Sequence, residues 1–319
     1  MSDPYASRIV LGLAVAALLG VGCQSSPQTG PAYSFVRAWG ESGSELGQLQ
    51  EPIGVAIAGG EVFVSEAGNR RVQVFDPAGT ATRQIGPSLA GGDTLRRPMH
   101  IAATDSALYV PDFNTDRVHV LSLEGNPKRS LDASGLENGV DAPAGVGVDA
   151  AGRLYVADFY HHRVLRVQPD GPLDRQWGVT DSTGTGPKRF TYPTDVAPLS
   201  DGGFVVADAY NHRIKRYDAG GSLAWMRPTD QTWADSTKGT FNVATAVATG
   251  PDGHIFVADF YNHRVQEFTP DGQFVRAFGE KGAGEGQFER PVDVAVDTEG
   301  RLYVVDLGND RIQVFTPDS

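Results

Sequence analysis

The stretch ADFYNHRVQEF, at positions 258–268, recurs with small changes five more times in this chain of 319 residues. Every copy has an acidic residue at its second position and an arginine five residues later, and successive arginines are 46 to 51 residues apart. The other copies occupy 65–75, 111–121, 157–167, 207–217 and 305–315. Internal similarity at this period indicates a repeat architecture, in which each unit buries its apolar face against its neighbours.

Each repeat reads as four short strands. In the third, GVGVDA (145–150), RLYVAD (153–158), RVLRVQ (163–168) and LDRQWG (173–178) are separated by turns. Apolar residues alternate or run for several positions, and Gly, Pro, Asn or Asp marks each break, which is typical of strands and hairpins. Four strands in about 47 residues predict a propeller blade, so the expected fold class is all-β, a six-bladed β-propeller with four strands per blade.

The two ends of the chain predict how the ring closes. The last repeat ends after its third strand, and SFVRAWGESGSELGQLQEP (34–52) matches QFVRAFGEKGAGEGQFERP (273–291), which contains a fourth strand and the loop after it. We therefore expect the segment that begins at Ser34 to complete the last blade. This closure removes exposed sheet edges and places one propeller domain at 34–319.

The motif, together with the Pro-x-Asp/Gly-Val-Ala strand that precedes it, resembles the NHL repeat over nearly the whole chain beyond residue 33. The first, second and last copies depart from the pattern in the turn, at 68–70, 114–116 and 308–310, where the middle copies carry Tyr and His. The resemblance implies a six-bladed propeller of the kind that serves elsewhere as an interaction module.

A continuous apolar run, IVLGLAVAALLGVG (9–22), precedes Cys23, the single cysteine of the chain. The run is too short to span a bilayer but has the length of a signal-peptide core. The segment resembles the lipobox of bacterial lipoproteins, which implies cleavage before Cys23 and its lipidation. We expect a signal peptide at 1–22 and a flexible tether at 23–33. An ordinary secretory signal cleaved nearby, or an uncleaved anchor, is the alternative.

The expected location follows from this leader. The protein would be extracytoplasmic and lipid-anchored in the bacterial cell envelope, on the periplasmic side. Because Gln24 rather than Asp follows the cysteine, the resemblance implies the outer membrane in preference to the inner one. We expect a monomer.

Charge and cysteine content exclude several classes of protein. The chain has 39 Asp and Glu against 27 Lys and Arg, a net charge of −12. Such a surface repels polyanions, so nucleic acid is not an expected partner. One cysteine permits neither an internal disulfide nor a zinc site built from paired cysteines.

The repeated polar residues favour a structural role, because a catalytic group is needed once and a turn-fixing group in every blade. The acidic residue and the arginine of each copy are expected to pair across a tight turn. Four asparagines are expected to be turn residues, of a type that tolerates left-handed backbone. They are Asn69, Asn211, Asn262 and Asn309. His162, His212 and His263 share one repeat position on separate blades, so we do not expect them to share a metal.

The positions where the repeats differ are better candidates for a site. The residue two places after the proline, or the residue in its place, at the start of each innermost strand is expected to face the mouth of the central channel. These residues are Gly54, His100, Gly145, Asp195, Thr245 and Asp293. Two carboxylates and an imidazole that converge there could bind a divalent cation or a cationic group of a ligand. The alternative is a solvated mouth whose aspartates bond to amides and water. We predict no cofactor but leave a divalent cation open, with His100, Asp195 and Asp293 as its ligands.

Aromatic residues cluster in the turns and in two longer loops, 179–192 and 226–242, on the same face. Aromatic groups on a face built from loops are frequent binding anchors, although they can also pack between blades. The candidates for ligand contact are Tyr160, Tyr210, Tyr261 and Trp233; Phe159, Phe190, Tyr192 and Phe260 lie near them in sequence.

Two functions from different classes remain. The chain has no nucleophile elbow, His-Glu-x-x-His, phosphate loop or cysteine nucleophile. This favours a tethered, non-enzymatic propeller that presents its loop face to a protein, a peptide or an envelope glycan. The alternative is a metal-dependent lyase or lactonase-like hydrolase at the central channel. Resemblance to the six-bladed amidating lyases implies three zinc-binding histidines near the axis, where only His100 is placed. Resemblance to the regucalcin-like lactonases implies acidic channel ligands, which Asp195 and Asp293 loosely match.

Overall fold

The computed structural model describes residues 32–131, 139–229 and 236–318. These residues contain 24 strands and three single-turn 3-10 segments. The strands are β1 (Tyr33–Trp39), β2 (Pro52–Ala58), β3 (Glu61–Glu66), β4 (Arg71–Phe75), β5 (Ala81–Ile85), β6 (Ala102–Thr104), β7 (Ala107–Asp112), β8 (Arg117–Leu121), β9 (Pro127–Leu131), β10 (Pro143–Val148), β11 (Leu154–Asp158), β12 (Arg163–Val167), β13 (Leu173–Gly178), β14 (Asp195–Pro198), β15 (Phe204–Asp208), β16 (Arg213–Tyr217), β17 (Leu223–Arg227), β18 (Ala244–Thr249), β19 (Ile255–Asp259), β20 (Arg264–Phe268), β21 (Phe274–Phe278), β22 (Pro291–Val296), β23 (Leu302–Asp306) and β24 (Arg311–Pro317). The 3-10 segments are Ala209–Asn211, Phe260–Asn262 and Leu307–Asn309. A helix long and apolar enough to cross a membrane does not occur in this part of the chain.

The strands form six antiparallel sheets of four, which are the blades of a propeller. Blades 1 to 5 are β2–β5, β6–β9, β10–β13, β14–β17 and β18–β21, and blade 6 consists of β22, β23, β24 and β1. The first strand of each blade packs beside those of its two neighbours, and β22 returns to β2, so the ring is closed. The all-β, six-bladed prediction is confirmed.

The amino-terminal strand completes blade 6, as the sequence predicts. β1 runs antiparallel to β24, from Tyr33 opposite Pro317 to Trp39 opposite Ile312. Its side chains also reach both neighbouring blades: Tyr33 stacks on Phe278 of blade 5 with ring centroids 5.7 Å apart, and Trp39 contacts Phe75 of blade 1. β1 therefore supports three blades.

Each joint between two blades has its own apolar core, and the six cores follow one another around the ring. Alternate residues of a strand belong to different joints. In β3, Val62 and Val64 pack against blade 6, whereas Phe63 packs against blade 2. Because both faces of each sheet are buried, the strands read as continuous apolar runs rather than strict alternations.

The acidic residue and the arginine of the repeat form what we call the clasp. In five blades the arginine Nε donates to the carboxylate at 2.6–2.8 Å, as in Arg264 and Asp259. The guanidinium of Arg264 also donates to the carbonyls of Ser236, Thr237 and Thr240 in the loop that enters its blade. The carboxylate accepts an amide from the same loop, that of Asn242. The predicted structural role of the pair is confirmed in these blades.

Blade 2 is the exception to the clasp. Asp112 accepts the amides of Arg96, Arg97 and Asn114, but Arg117 lies 3.5 Å from Asp93 and forms no bond with Asp112. The expectation of a pair in every blade is therefore wrong here. Asp93, in the loop before blade 2, takes the arginine away from its usual partner.

A second fastener, which we call the latch, joins neighbouring blades. At five joints, the residue before the repeat arginine uses its side chain to accept an amide at the start of the next blade, at 2.9–3.3 Å. The pairs are Asp116 with Ala142, His162 with Tyr192, His212 with Val243, His263 with Arg290, and Asp310 with Glu51. These histidines thus serve separate joints.

The latch residue, not the asparagine before it, adopts the left-handed backbone. His212 has φ 51° and Asp310 has φ 48°. The side-chain amide of Asn309 instead donates to Asp306 at 2.8 Å, and Asn69 bonds to Glu66 in the same way. The asparagines lie in the turns, as expected, and the left-handed conformation occurs at the residue that follows each of them.

Candidate functional site

The first strands of the blades surround a central cavity of about 230 Å³. His100, Asp195 and Asp293 all line it, and each is at least nine-tenths buried. They come from blades 2, 4 and 6, so the ring symmetry brings together residues that are about a hundred positions apart in sequence. The structure thus gathers the three polar side chains predicted at the channel.

The two carboxylates bond to backbone amides at the inner edge of the ring. Asp293 accepts the amide of Val55 in blade 1 at 2.8 Å through one oxygen and that of Val294 at 2.8 Å through the other. Asp195 accepts the amide of Val247 in blade 5 at 2.9 Å. Both aspartates therefore join their own blade to the next, as the structural interpretation requires.

The register of blade 5 corrects one predicted position. A bulge in β18 places Ala246 opposite Ala258, where blade 6 has Asp293 opposite Val305. Thr245 lies within the bulge, and its hydroxyl is directed at the carbonyl of Ala258, 3.4 Å away. The equivalent channel position is Ala246 and not Thr245, so blade 5 contributes no polar side chain at this level.

Burial and the neighbouring charges shift the pKa values of two members of this cluster, Asp195 and His100. Burial raises the pKa of Asp195 to about 7, with a further increase from Asp293 and an opposing effect of His100. Burial alone would lower the pKa of His100, but Asp293, and to a lesser extent Asp195, outweigh it and raise the pKa. His100 Nδ1 lies 3.5 Å from Asp293 and has no hydrogen-bond partner among the described residues. The cluster therefore places one imidazole and two carboxylates within mutual electrostatic influence in a buried site.

The arrangement does not fit a metal ion. No group of three or more His, Cys, Asp or Glu side chains in the described ranges is placed to hold one. Asp293 has an amide on each oxygen, whereas a divalent cation requires several free oxygens pointing at one position. A three-histidine zinc site would need two more imidazoles beside His100, but the latches hold His162, His212 and His263 at other joints.

A network of touching aromatic rings lies on the loop face of blades 2, 3 and 4. Phe159 contacts Phe113, Tyr160, Tyr192 and Tyr210, with centroids 4.8–6.2 Å apart. Tyr160 and Tyr210 remain 47% and 54% exposed. We call these five residues the aromatic face. The sequence reasoning missed Phe113, although its place in the repeat, directly after the acidic residue, is that of Phe159.

The other aromatic candidates have different environments. Tyr261 is 55% exposed and contacts Phe260, with centroids 4.8 Å apart, in blade 5. Phe190 is fully buried in the core between blades 3 and 4, where the Lys215 ammonium lies 4.4 Å from its ring, so it follows the alternative of packing between blades. Trp233, like Cys23, lies outside the described residues.

Comparison with known proteins locates the repeats. Four segments match the NHL repeat, at residues 141–166, 190–217, 241–268 and 288–315, and they lie in blades 3 to 6. Blades 1 and 2 are not matched, and blade 2 is the blade whose arginine does not bond to the repeat aspartate.

Two curated relatives are similar over part of the chain. The protein brain tumor of Drosophila melanogaster is 27% identical over 146 residues, which is 44% of this chain and 14% of the relative. The peptidyl-glycine alpha-amidating monooxygenase of Mus musculus is 30% identical over 176 residues, 53% of this chain and 18% of the relative. The matched part is therefore less than a fifth of either relative's length.

Solved structures share the architecture. A streptogramin B lyase superimposes with a TM-score of 0.60 at 13% identity, over 92% of this chain and all of that one. Identity this low supports the fold alone. Taken with the closed ring and the four repeat matches, these similarities show that the chain is a six-bladed β-propeller with NHL repeats in blades 3 to 6.

Proposed function

We propose that this propeller is a binding module that presents its aromatic face to a protein, a peptide or an envelope glycan. The observation that supports the proposal is the ring network around Phe159, which leaves Tyr160 and Tyr210 half exposed. Aromatic side chains provide a large contact area with few rotatable bonds, which makes them effective binding anchors. The exposed tyrosines pack on Phe159 and Tyr192, whose ring centroids are 4.8 Å apart. Little side-chain ordering would then oppose binding.

The proposal includes a tether at the amino terminus. Lipidation at Cys23 would anchor the protein, and two acyl chains bind a membrane stably. A chain held at the extracytoplasmic face of the outer membrane would expose the propeller to envelope glycans and proteins. Mass spectrometry of the protein purified from membranes tests this: we expect a Cys23-linked diacylglycerol that is lost in Cys23→Ser, and an unmodified cysteine would contradict the tether.

The binding proposal is tested with a glycan array of cell-envelope fragments and a displayed peptide library. Tyr160→Ala/Tyr210→Ala should abolish ligand capture while the melting temperature stays near that of the native protein. Tyr261→Ala is the matched control, because this equally exposed tyrosine lies in blade 5 on Phe260. Capture that survives the double substitution, or that is lost equally in the control, would exclude the aromatic face as the contact surface.

A metal-dependent lyase or hydrolase at the channel is the second candidate. It is favoured by the buried imidazole of His100 beside Asp195 and Asp293, and by the similarity to an amidating monooxygenase and a streptogramin lyase. Against it, backbone amides already donate to both oxygens of Asp293, and no group of three or more His, Cys, Asp or Glu side chains among the described residues is placed to hold a cation. Metal analysis separates the candidates: a stoichiometric divalent ion that is lost in Asp195→Ala/Asp293→Ala would favour the enzyme.

A further inference from the structure

The joint between blades 1 and 2 has no latch. Arg70 occupies the latch position, with φ 57°, and a guanidinium cannot accept an amide. The amide that would donate, that of Arg97, bonds to Asp112 at 3.0 Å instead. At this joint alone among the six, the latch position therefore carries a cation.

A cavity of about 520 Å³ opens at this joint. Arg70 comes from blade 1, Asn114 from blade 2, and the loop between the blades supplies the rest of the lining. The lining residues are Arg70, Pro87, Ser88, Thr94, Leu95, Arg96 and Asn114. The volume lies within the range of about 300–1,000 Å³ that is usual for small-molecule sites. No acidic side chain belongs to this lining.

The wall formed by the loop is held in place by its own bonds. The Leu95 amide donates to Pro87 at 2.8 Å, and the Leu89 amide donates to Asp93 at 2.8 Å. Leu89 and Leu95 are both buried in the core of the joint. A ligand would therefore meet a formed pocket and would not have to order the loop first.

The acidic groups around the cavity are already paired. Asp93 lies 3.5 Å from Arg117 and 3.3 Å from His119, and Glu51 lies 3.6 Å from Arg97. In contrast, the side chains of Arg70 and Arg96 form no ion pair or hydrogen bond with any described residue. Two uncompensated guanidinium groups thus border one pocket of a chain whose net charge is −12.

We propose that this pocket binds the oxyanion group, carboxylate or phosphate, of a small organic acid. Guanidinium groups match the geometry of both groups with paired N–H donors. The hydroxyls of Ser88 and Thr94 and the side-chain amide of Asn114 supply further hydrogen bonds, and Pro87 offers an apolar surface to the rest of the ligand. The proposal is independent of the aromatic face and of its ligand.

The test is a titration of the full propeller with inorganic phosphate, and separately with citrate, at constant ionic strength. Arginine Nε–Hε resonances report binding at the two side chains. We expect saturable shifts at Arg70 and Arg96 with at least one probe. Arg70→Gln and Arg96→Gln should each weaken binding at least fivefold, and the double variant should abolish it. Arg129→Gln, on the outer strand of blade 2, is the control and should bind as the native protein does.

The two probes distinguish the source of the anion. Binding of phosphate alone assigns a phosphorylated ligand, and binding of citrate alone assigns a carboxylic acid. If a glutamine variant fails to fold, Arg70→Lys/Arg96→Lys keeps the charge and removes the paired donors, and it should still weaken binding at least fivefold. Absence of saturable shifts with both probes, or equal affinity in the native protein and the double variant, would overturn the proposal.

Discussion

The joint between blades 1 and 2 and the joint between blades 4 and 5 solve the same packing problem with different polar contacts. At the second, His212 latches the amide of Val243 and Arg264 clasps Asp259. At the first, Arg70 stands at the latch position and Arg117 is turned to Asp93. Both joints keep a continuous apolar core. The comparison indicates that apolar burial closes the ring, whereas the polar fasteners fix the loops and can be exchanged locally for a pocket.

The most severe way to break a regular joint is to remove β1. Deleting residues 33–39 takes Tyr33 and Trp39 from the cores on both sides of blade 6. Both side chains are partly buried, and the deletion also removes the pairing of β1 with β24, so we expect the melting temperature to fall by more than about 10 °C. Calorimetry provides the measurement, and deletion of 24–31 is the control. Equal melting temperatures for the two deletions would contradict closure through blade 6.

Removing the clasp arginine should give the next largest loss of stability, and the loss should differ between blade 5, where the clasp is formed, and blade 2, where it is not. Arg264→Ala leaves the buried carboxylate of Asp259 without its cation and frees three loop carbonyls, which should cost about 3–5 kcal/mol. Arg117→Ala removes a partly exposed pair with Asp93 and should cost less than about 1 kcal/mol. Urea denaturation measures both free energies of unfolding. Similar losses would show that the clasp does not distinguish the blades.

The latch should produce a smaller effect in the same comparison. His212→Ala deprives the amide of Val243 of its acceptor, at a cost of about 1–3 kcal/mol. Arg70→Ala removes no such bond and should change stability by less than about 0.5 kcal/mol. Both residues have left-handed backbone, with φ 51° and 57°, so alanine introduces similar strain at each. A loss in Arg70→Ala as large as that in His212→Ala would refute the latch.

The sequence was sufficient to predict features that repeat. The blades, their order and the closing strand follow from motif spacing and from the match between 34–52 and 273–291, because each repeat must bury its faces against the next. The clustering of His100, Asp195 and Asp293 at one cavity followed from their shared position in the repeat.

Features that join different blades could not be read from the sequence in the same way. The latch depends on an amide in the next blade, although the occurrence of Asp116 and Asp310 at the histidine position, each with an acceptor oxygen, was an available signal. In blade 5 Ala244 occupies the place of Pro291, so no proline marks the position from which to count, and the sequence pattern indicates Thr245 instead of Ala246. The capture of Arg117 by Asp93 depends on the path of a loop whose sequence has no counterpart in the other repeats.

The pH dependence of stability gives the smallest expected effect, and it tests the histidine latches. Burial lowers the pKa of His162 and of His212, which accept amides through neutral rings. The unfolded chain therefore takes up these protons first, so the latch contribution is complete above about pH 6.5 and decreases as the pH falls below it. His162→Asn/His212→Asn retains an acceptor oxygen and should remove this decrease.

Asp195 in the channel cluster contributes a pH dependence of stability that is opposite in sign to that of the latches, so the two contributions must be measured separately. Because the pKa of Asp195 is raised to about 7, the folded protein binds its proton more tightly than the unfolded chain does. The stability it contributes is present at acidic pH and is lost as the pH rises from about 4 through 7. Between pH 5 and 8, the melting temperature of Asp195→Asn should therefore fall more steeply with decreasing pH than that of the native protein, because the opposing contribution of Asp195 is absent. If the pH profile is unchanged both in Asp195→Asn and in His162→Asn/His212→Asn, then neither the aspartate nor the histidines change their pKa on folding. The difference between the joints would then be supported by the geometry of their hydrogen bonds alone.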